Sequence, residues 1–147
     1  MIVSLTKHLE SNPQNHAAWN NLAIARWESG DAKQALSDFA SAIRCTKDDP
    51  LPLRNRGLLL KSLVSMAQAI EDLRRAITMA PYDPYLRRCR THAYLETGEL
   101  EHALSNLTSA IELEPAFRQQ YYDRANVYER LGYTEKAQHD RMTAESL

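Results

Sequence analysis

Residues 50–83 read PLPLRNRGLLLKSLVSMAQAIEDLRRAITMAPYD, and this 34-residue stretch measures out the rest of the chain. Shifted by its own length, it finds itself again on both sides. Ala69 falls on Ala35, Ala103 and Ala137, and Ala76 falls on Ala42, Ala110 and Ala144. Gly57 falls on Ala23, Thr91 and Ala125, and Pro81 falls on Pro115 and, two periods back, on Pro13. Four copies start at His16, Pro50, Pro84 and Arg118 without an insertion between them. Small residues held in register over four copies mark places where two helices approach closely, so the chain is a repeat array.

Each copy reads helix, turn, helix. Asn15, Asp49 and Asp83 precede the first helices as N-caps, and Pro50 and Pro84 sit where a missing N–H costs nothing. Phe117 holds that place in the fourth copy, which lacks the cap. Gly30, Gly98 and Gly132 suit a left-handed helix ending. The second copy has Val64 there, and a β-branched residue is strained in that conformation. The expectation is a differently shaped turn at Val64-Ser65, with Ser65 capping the next helix. A side chain larger than Ala at 35, 69 or 103 would push its helix pair apart, at about 1–3 kcal/mol per overpacked site. No copy can bury its apolar face alone, so stability comes from stacking.

The first copy carries Trp19, Leu22, Ala23, Gly30, Asp31, Ala35, Phe39 and Ala42; the third carries Tyr94, Gly98, Ala103, Leu107, Ala110 and Pro115. The fourth carries Tyr121, Ala125, Tyr128, Gly132, Ala137 and Ala144. In period and pattern the stretch from His16 to Leu147 resembles the tetratricopeptide repeat family. The resemblance implies an all-α, right-handed α-solenoid of helix-turn-helix repeats. The expected organisation is an N-terminal half repeat over 1–15, then repeats over 16–49, 50–83, 84–117 and 118–147, the last a capping repeat. In the half repeat, Leu5 and Leu9 fall in register with Phe39 and Ile43, which face the core in the family pattern. In the last helix Gln138, Arg141 and Glu145 replace apolar residues of earlier copies. A polar outer face of this kind suits the end of an array, expected near Leu147. The N-terminal edge shows no such change, and either a natural cap or the cut edge of a longer array fits it.

Charge is almost balanced over the 147 residues, with 18 basic and 19 acidic side chains, but it is unevenly placed. Residues 50–90 carry 8 basic and 3 acidic side chains, while residues 91–147 carry 5 and 10. Part of the basic excess has a structural explanation. Arg56, Arg90 and Arg124 lie sixteen residues before Asp72, Asn106 and Asp140, and Arg56–Asp72 and Arg124–Asp140 are expected to pair within their repeats.

No run of about 18 apolar residues exists to span a membrane. The N-terminus lacks the basic start, apolar stretch and cleavage site of a signal peptide. Cys45, near the end of a second helix, and Cys89, in a first helix, occupy different places and do not read as a staple. A reduced, cytoplasmic protein is the expectation. His8, His16, His92, His102 and His139 show no ligand spacing, and no motif for catalysis, phosphate binding or metal binding occurs. The expectation is a non-catalytic adaptor or scaffold without cofactor or metal.

The family resemblance implies that first helices line a concave groove. Its stripe runs Ala17, Asn20, Ile24 and Trp27; Leu51, Arg54, Leu58 and Lys61; Tyr85, Arg88, His92 and Leu95; Gln119, Tyr122, Asn126 and Glu129, with Asn21 and Asn55 beside it. Asn can donate to and accept from a peptide backbone, Arg can hold carboxylates, and Trp and Tyr serve as anchors. The expected binding residues are Asn20, Asn21, Ile24, Trp27, Arg54, Asn55, Leu58, Lys61, Tyr85, Arg88, His92, Leu95, Tyr122 and Asn126. Their expected partner is a peptide or protein segment with acidic character. Family members that grip chaperone tails use Lys and Asn four apart, then Asn, then Lys and Arg four apart. Here those places hold Asn20 and Ile24, Asn55, and Tyr85 and Cys89, so that clamp is not made. A second reading is a scaffold that self-associates through Leu5 and Leu9 at the N-terminal edge, as a homo-oligomer. A third is nucleic-acid binding through the basic centre, against which the adjacent acidic third argues.

Overall fold

A computed structural model describes all 147 residues, 1–147. It contains nine helices and no strand: α1 (Ile2–Ser11), α2 (His16–Glu28), α3 (Ala32–Cys45), α4 (Leu51–Ser62), α5 (Met66–Met79), α6 (Pro84–Thr97), α7 (Leu100–Leu113), α8 (Arg118–Arg130) and α9 (Thr134–Ser146). The helices fall into two compact units, Met1–Ala80 and Pro81–Leu147. No helix is long and apolar enough to cross a membrane.

In the first unit α2 packs against α1, α3 and α4, and α4 packs against α3 and α5. Ala35 and Ala69, at most 1% exposed, let each pair close. One core joins Ala23, Ala35, Phe39 and Leu59, with Ile24, Trp27 and Leu36 against it. A second joins Leu9, Ala18 and Leu22, so α1 contributes its apolar edge through Leu9, with Leu5 packed alongside. At Gly57 an added Cβ would lie 3.2 Å from Leu73 Cγ and 3.4 Å from the Ala69 carbonyl, a close approach that glycine permits. In the second unit α7 packs against α6 and α8, and α8 against α9. Its core joins Ala103, Leu107 and Val127, and Ala110, Ala137 and Ala144 are buried as their counterparts are.

Asn15 caps α2 through Ala18 N (3.0 Å), Asp31 caps α3 through Gln34 N (3.1 Å) and Asp83 caps α6 through Tyr85 N (2.9 Å). Asp49 accepts from Leu51 N at 2.9 Å, and α4 begins at Leu51 rather than at Pro50. Phe117 supplies no cap.

The turn at Val64 corrects the expectation. Val64 adopts φ 62°, in the same left-handed region as Gly30, Gly98 and Gly132. The Ser65 N–H reaches back to the Leu60 carbonyl at 2.9 Å, as Asp31 does to Arg26 and Glu99 to Tyr94. All four turns are therefore Schellman endings. With no inserted residue and the helix pair drawn together at Gly57 and Ala69, one turn geometry connects α4 to α5, and packing overrides the preference of valine. Ser65 occupies the N-cap place but makes no side-chain capping bond.

The closing proline loops are fastened by a recurring bond. Trp19 Nε1 donates to the Pro13 carbonyl (2.8 Å), an Arg87 terminal nitrogen to that of Pro81 (2.8 Å), and the Tyr121 hydroxyl to that of Pro115 (2.9 Å). In the same register the second copy has Leu53 and Lys47, and Thr46 Oγ1 instead accepts from Asp49 N at 3.2 Å.

Candidate functional site

The ion pairs within helix pairs decide which cations remain for a ligand. Arg56 holds Asp72 through two bonds of 2.7 Å, and Arg124 holds Asp140 through bonds of 2.7 and 2.8 Å, as expected. The carboxylate of Asp140 raises the pKa of the Arg124 guanidinium. A further pair went unread in the sequence. Asp38 lies in the register of Asp72 and Asp140, and its cation is Arg26, at 2.6 Å, one helical turn beyond the place Arg56 occupies in its own copy. The shared register of Asp38, Asp72, Asn106 and Asp140 was the available signal. Burial pushes the Asp38 carboxyl above its ordinary value, while Arg26 pulls the other way.

In the first unit the expected binding residues divide by exposure. Asn20 and Asn55 are buried, and Asn55 Nδ2 donates to Asn20 Oδ1 at 3.0 Å. Arg54 donates to Asn55 Oδ1 from Nε and a terminal nitrogen, both at 3.2 Å. These two asparagines thus join α2 to α4. Asn21 is exposed; Ile24, Trp27, Leu58 and Lys61 are half-buried, with Ile24 and Trp27 resting on the core. Asn21 and Ile24 also line a groove of about 500 Å³ with Met1, Ser4, Leu5 and Glu28.

In the second unit the Arg88 guanidinium lies 5.8 Å from the centre of the Tyr85 ring and 5.2 Å from that of Phe117. Its NH1 meets Glu114 Oε2 at 3.2 Å, and Gln120 Nε2 reaches the same oxygen at 3.3 Å. Nε and the other terminal nitrogen of Arg88 make no hydrogen bond. Phe117, Glu114 and Gln120 were missed in the sequence; Phe117 stood out there only as an absent cap, yet an exposed aromatic beside an arginine is itself a signal. His92 Nδ1 meets Glu96 at 2.7 Å, and Leu95 packs on the core. Tyr122 is half-buried. Asn126 is exposed and accepts from Arg141 at 3.4 Å. Arg141 also grips Glu129, which holds that carboxyl below its ordinary value.

These helix pairs, with their shared turns and small-residue contacts, have counterparts in known proteins. Two sequence models described as tetratricopeptide repeat match residues 4–50 and 55–83. The chain belongs to the tetratricopeptide repeat family. A TPR repeat-containing thioredoxin of Arabidopsis thaliana is 28% identical over 89 residues, 60% of this chain and 13% of that protein. A tetratricopeptide repeat and J domain-containing co-chaperone of Fusarium oxysporum is 28% identical over 116 residues, 74% of this chain and 22% of that protein. The chain thus spans under a quarter of either relative. Among solved structures, MamA superposes with a TM-score of 0.89 at 19% identity, covering 99% of this chain and 85% of its own. YrrB, described as a TPR protein with an unusual peptide-binding site, superposes with a TM-score of 0.82 at 22% identity, covering 97% and 74%. At such identities the likeness is one of fold, that of an all-α solenoid. A tetratricopeptide repeat array is a protein–protein interaction module.

Proposed function

We propose that this module is a non-catalytic adaptor that binds a polypeptide segment of acidic character along the exposed face of its first helices. The observation that carries this reading is Arg88. It is steadied between Tyr85 and Phe117, is anchored by one nitrogen to Glu114, and has Nε and a terminal nitrogen not engaged in hydrogen bonds. A guanidinium fixed in this way loses little freedom when it takes a carboxylate, and adjacent aromatics supply apolar contact at modest entropic cost. Asn126 and Tyr122 add polar and aromatic surface in the same unit. In the first unit Asn21, Ile24, Trp27, Leu58 and Lys61 offer the corresponding surface, while Asn20 and Asn55 serve it from below. Peptide binding in a protein of the same fold, YrrB, agrees with this reading.

A peptide-display selection on the chain, run beside Arg88→Glu, tests it. Acidic peptides are expected to enrich on the parent and vanish on the variant. Enrichment of the same peptides on both proteins, or of none on either, would remove the reading.

A further inference from the structure

A groove of about 560 Å³ lies in the first unit, lined by Leu36 of α3, Arg56 and Leu60 of α4, and Ala67, Gln68, Glu71, Asp72 and Arg75 at and within α5. None of these residues belongs to the face discussed above. The repeat register explains why the groove is open. In the other three copies a pair of side chains bridges the two helices at this place. Arg26 NH1 donates to Gln34 at 3.4 Å, Tyr94 stacks on His102 with ring centres 5.0 Å apart, and Lys136 Nζ lies 5.6 Å from the centre of the Tyr128 ring. The second copy has Leu60 and Gln68 instead, and the Gln68 side chain bridges to nothing on α4. Beside them Ala67 stands where the other copies have Lys33, Glu101 and Glu135. The equivalent groove in the fourth copy, lined by Arg124, Tyr128, Glu135, Lys136, His139 and Asp140, measures about 240 Å³.

The same copy also changes the charge at the rim. Arg75 stands where the others have Ser41, Ser109 and Thr143. Both acids of the lining are already taken, Glu71 by Arg74 at 2.8 and 3.0 Å and Asp72 by Arg56. The Arg75 carbonyl accepts from the Thr78 hydroxyl, but its guanidinium enters no hydrogen bond or direct ion pair and exerts only a longer-range pull on Glu71. Arg56 keeps its NH1 out of the Asp72 pair, whereas the matching nitrogen of Arg124 reaches Thr108 at 3.4 Å; the residue in that register for Arg56 is Ala40. The groove therefore joins an apolar wall of Leu36, Leu60 and Ala67 to two guanidinium groups with donors to offer.

We propose that this groove is a second binding site, separate from the first-helix face, which takes an aliphatic side chain and a neighbouring carboxylate from an acidic polypeptide segment. The apolar wall receives the aliphatic group, and Arg75, with Arg56 behind it, receives the carboxylate. Loss of the bridging pair and gain of Arg75 occur in one copy only, which is what a site particular to that copy requires.

The test is a titration of the ¹⁵N-labelled chain with the capped peptide acetyl-Leu-Leu-Glu-Glu-amide, following backbone amide shifts. Shift changes are expected around Leu36, Leu60 and the stretch 67–75. Replacing both glutamates of the peptide by glutamine, or introducing Arg75→Glu, should weaken binding about fivefold. The double substitution Leu60→Tyr/Gln68→His installs the bridging pair of the third copy and should weaken it about tenfold or more. Arg75 is exposed, so its variant keeps the test decisive even if the double variant does not fold. Absence of shifts at millimolar peptide, shifts confined to other surfaces such as Tyr85, Arg88 and Tyr122, or an affinity indifferent to these changes would overturn the proposal. Shifts at those three residues would instead speak for the first-helix face, so the two readings can fail separately.

Discussion

Arg90 donates through a terminal nitrogen to Asn106 Oδ1, while Asn106 Nδ2 is buried and has no acceptor. In the copies on either side the same positions hold aspartates gripped through two nitrogens, Arg56–Asp72 and Arg124–Asp140. An amide nitrogen therefore sits where a carboxylate oxygen would complete the fork. Asn106→Asp is expected to stabilise the chain by about 1–2 kcal/mol, because it supplies a charge-assisted acceptor and removes a buried donor without a partner. The reverse change, Asp72→Asn, should cost about 1–3 kcal/mol. Urea unfolding of the two variants beside the parent measures both; a destabilised Asn106→Asp would refute the account.

Asp38 is buried, and burial raises its pKa against the pull of Arg26. A folded-state value above the unfolded one means that the native state holds the proton more tightly. Stability is therefore fullest below the unfolded pKa and falls as the pH rises through the folded one. Arg26 limits that loss. Arg26→Gln should cost about 3 kcal/mol near neutral pH, where it leaves a buried carboxylate without its cation. The cost should shrink as the pH falls through the folded pKa of Asp38, since a neutral carboxyl needs no cation. Unfolding curves for parent and variant across that range test the sign; a cost that grows on acidification contradicts it.

Val64 holds a left-handed φ of 62° and is 80% exposed, so little packs on valine to offset the strain. Val64→Gly should stabilise the chain by about 1 kcal/mol, the relief of a left-handed β-branched residue less the greater freedom of glycine when unfolded. That gain corresponds to a rise of roughly 2–4 °C in Tm. A circular dichroism melt showing a lower Tm would mean that the strain is not carried by Val64.

The array was legible because its demands are steric and repeat. Ala35, Ala69, Ala103 and Ala137 are all at most 1% exposed, and no larger residue could recur there. The Arg56 and Arg124 pairs were legible because both partners keep register. Arg26 escaped because it reaches Asp38 from one turn further along α2. The Val64 turn escaped because local preference was outweighed by a fixed helix pair. The bonds to the Pro13, Pro81 and Pro115 carbonyls escaped because Trp19, Arg87 and Tyr121 share only a donor at the right reach. At the candidate site, a helical stripe shows which residues share a face but not where neighbouring helices cover it. Asn20 and Asn21 are adjacent in sequence, yet one is buried and the other exposed.

That difference makes the asparagines of the stripe separable by experiment. Asn55 Nδ2 donates to Asn20 Oδ1 at 3.0 Å, and Asn55 Oδ1 receives Arg54, so the amides are engaged on both sides. Asn55→Ala leaves Asn20 with a buried acceptor and should cost about 1–3 kcal/mol; Asn20→Ala should cost a similar amount. Because they share one bond, the double variant should be less damaging than the sum, with a coupling of about 1 kcal/mol. Asn21→Ala and Asn126→Ala, at exposed positions, should change stability by less than about 0.5 kcal/mol. Any effect of theirs on peptide capture would then be read directly as recognition. A coupling near zero between Asn20 and Asn55 would show that the pair does not join α2 to α4.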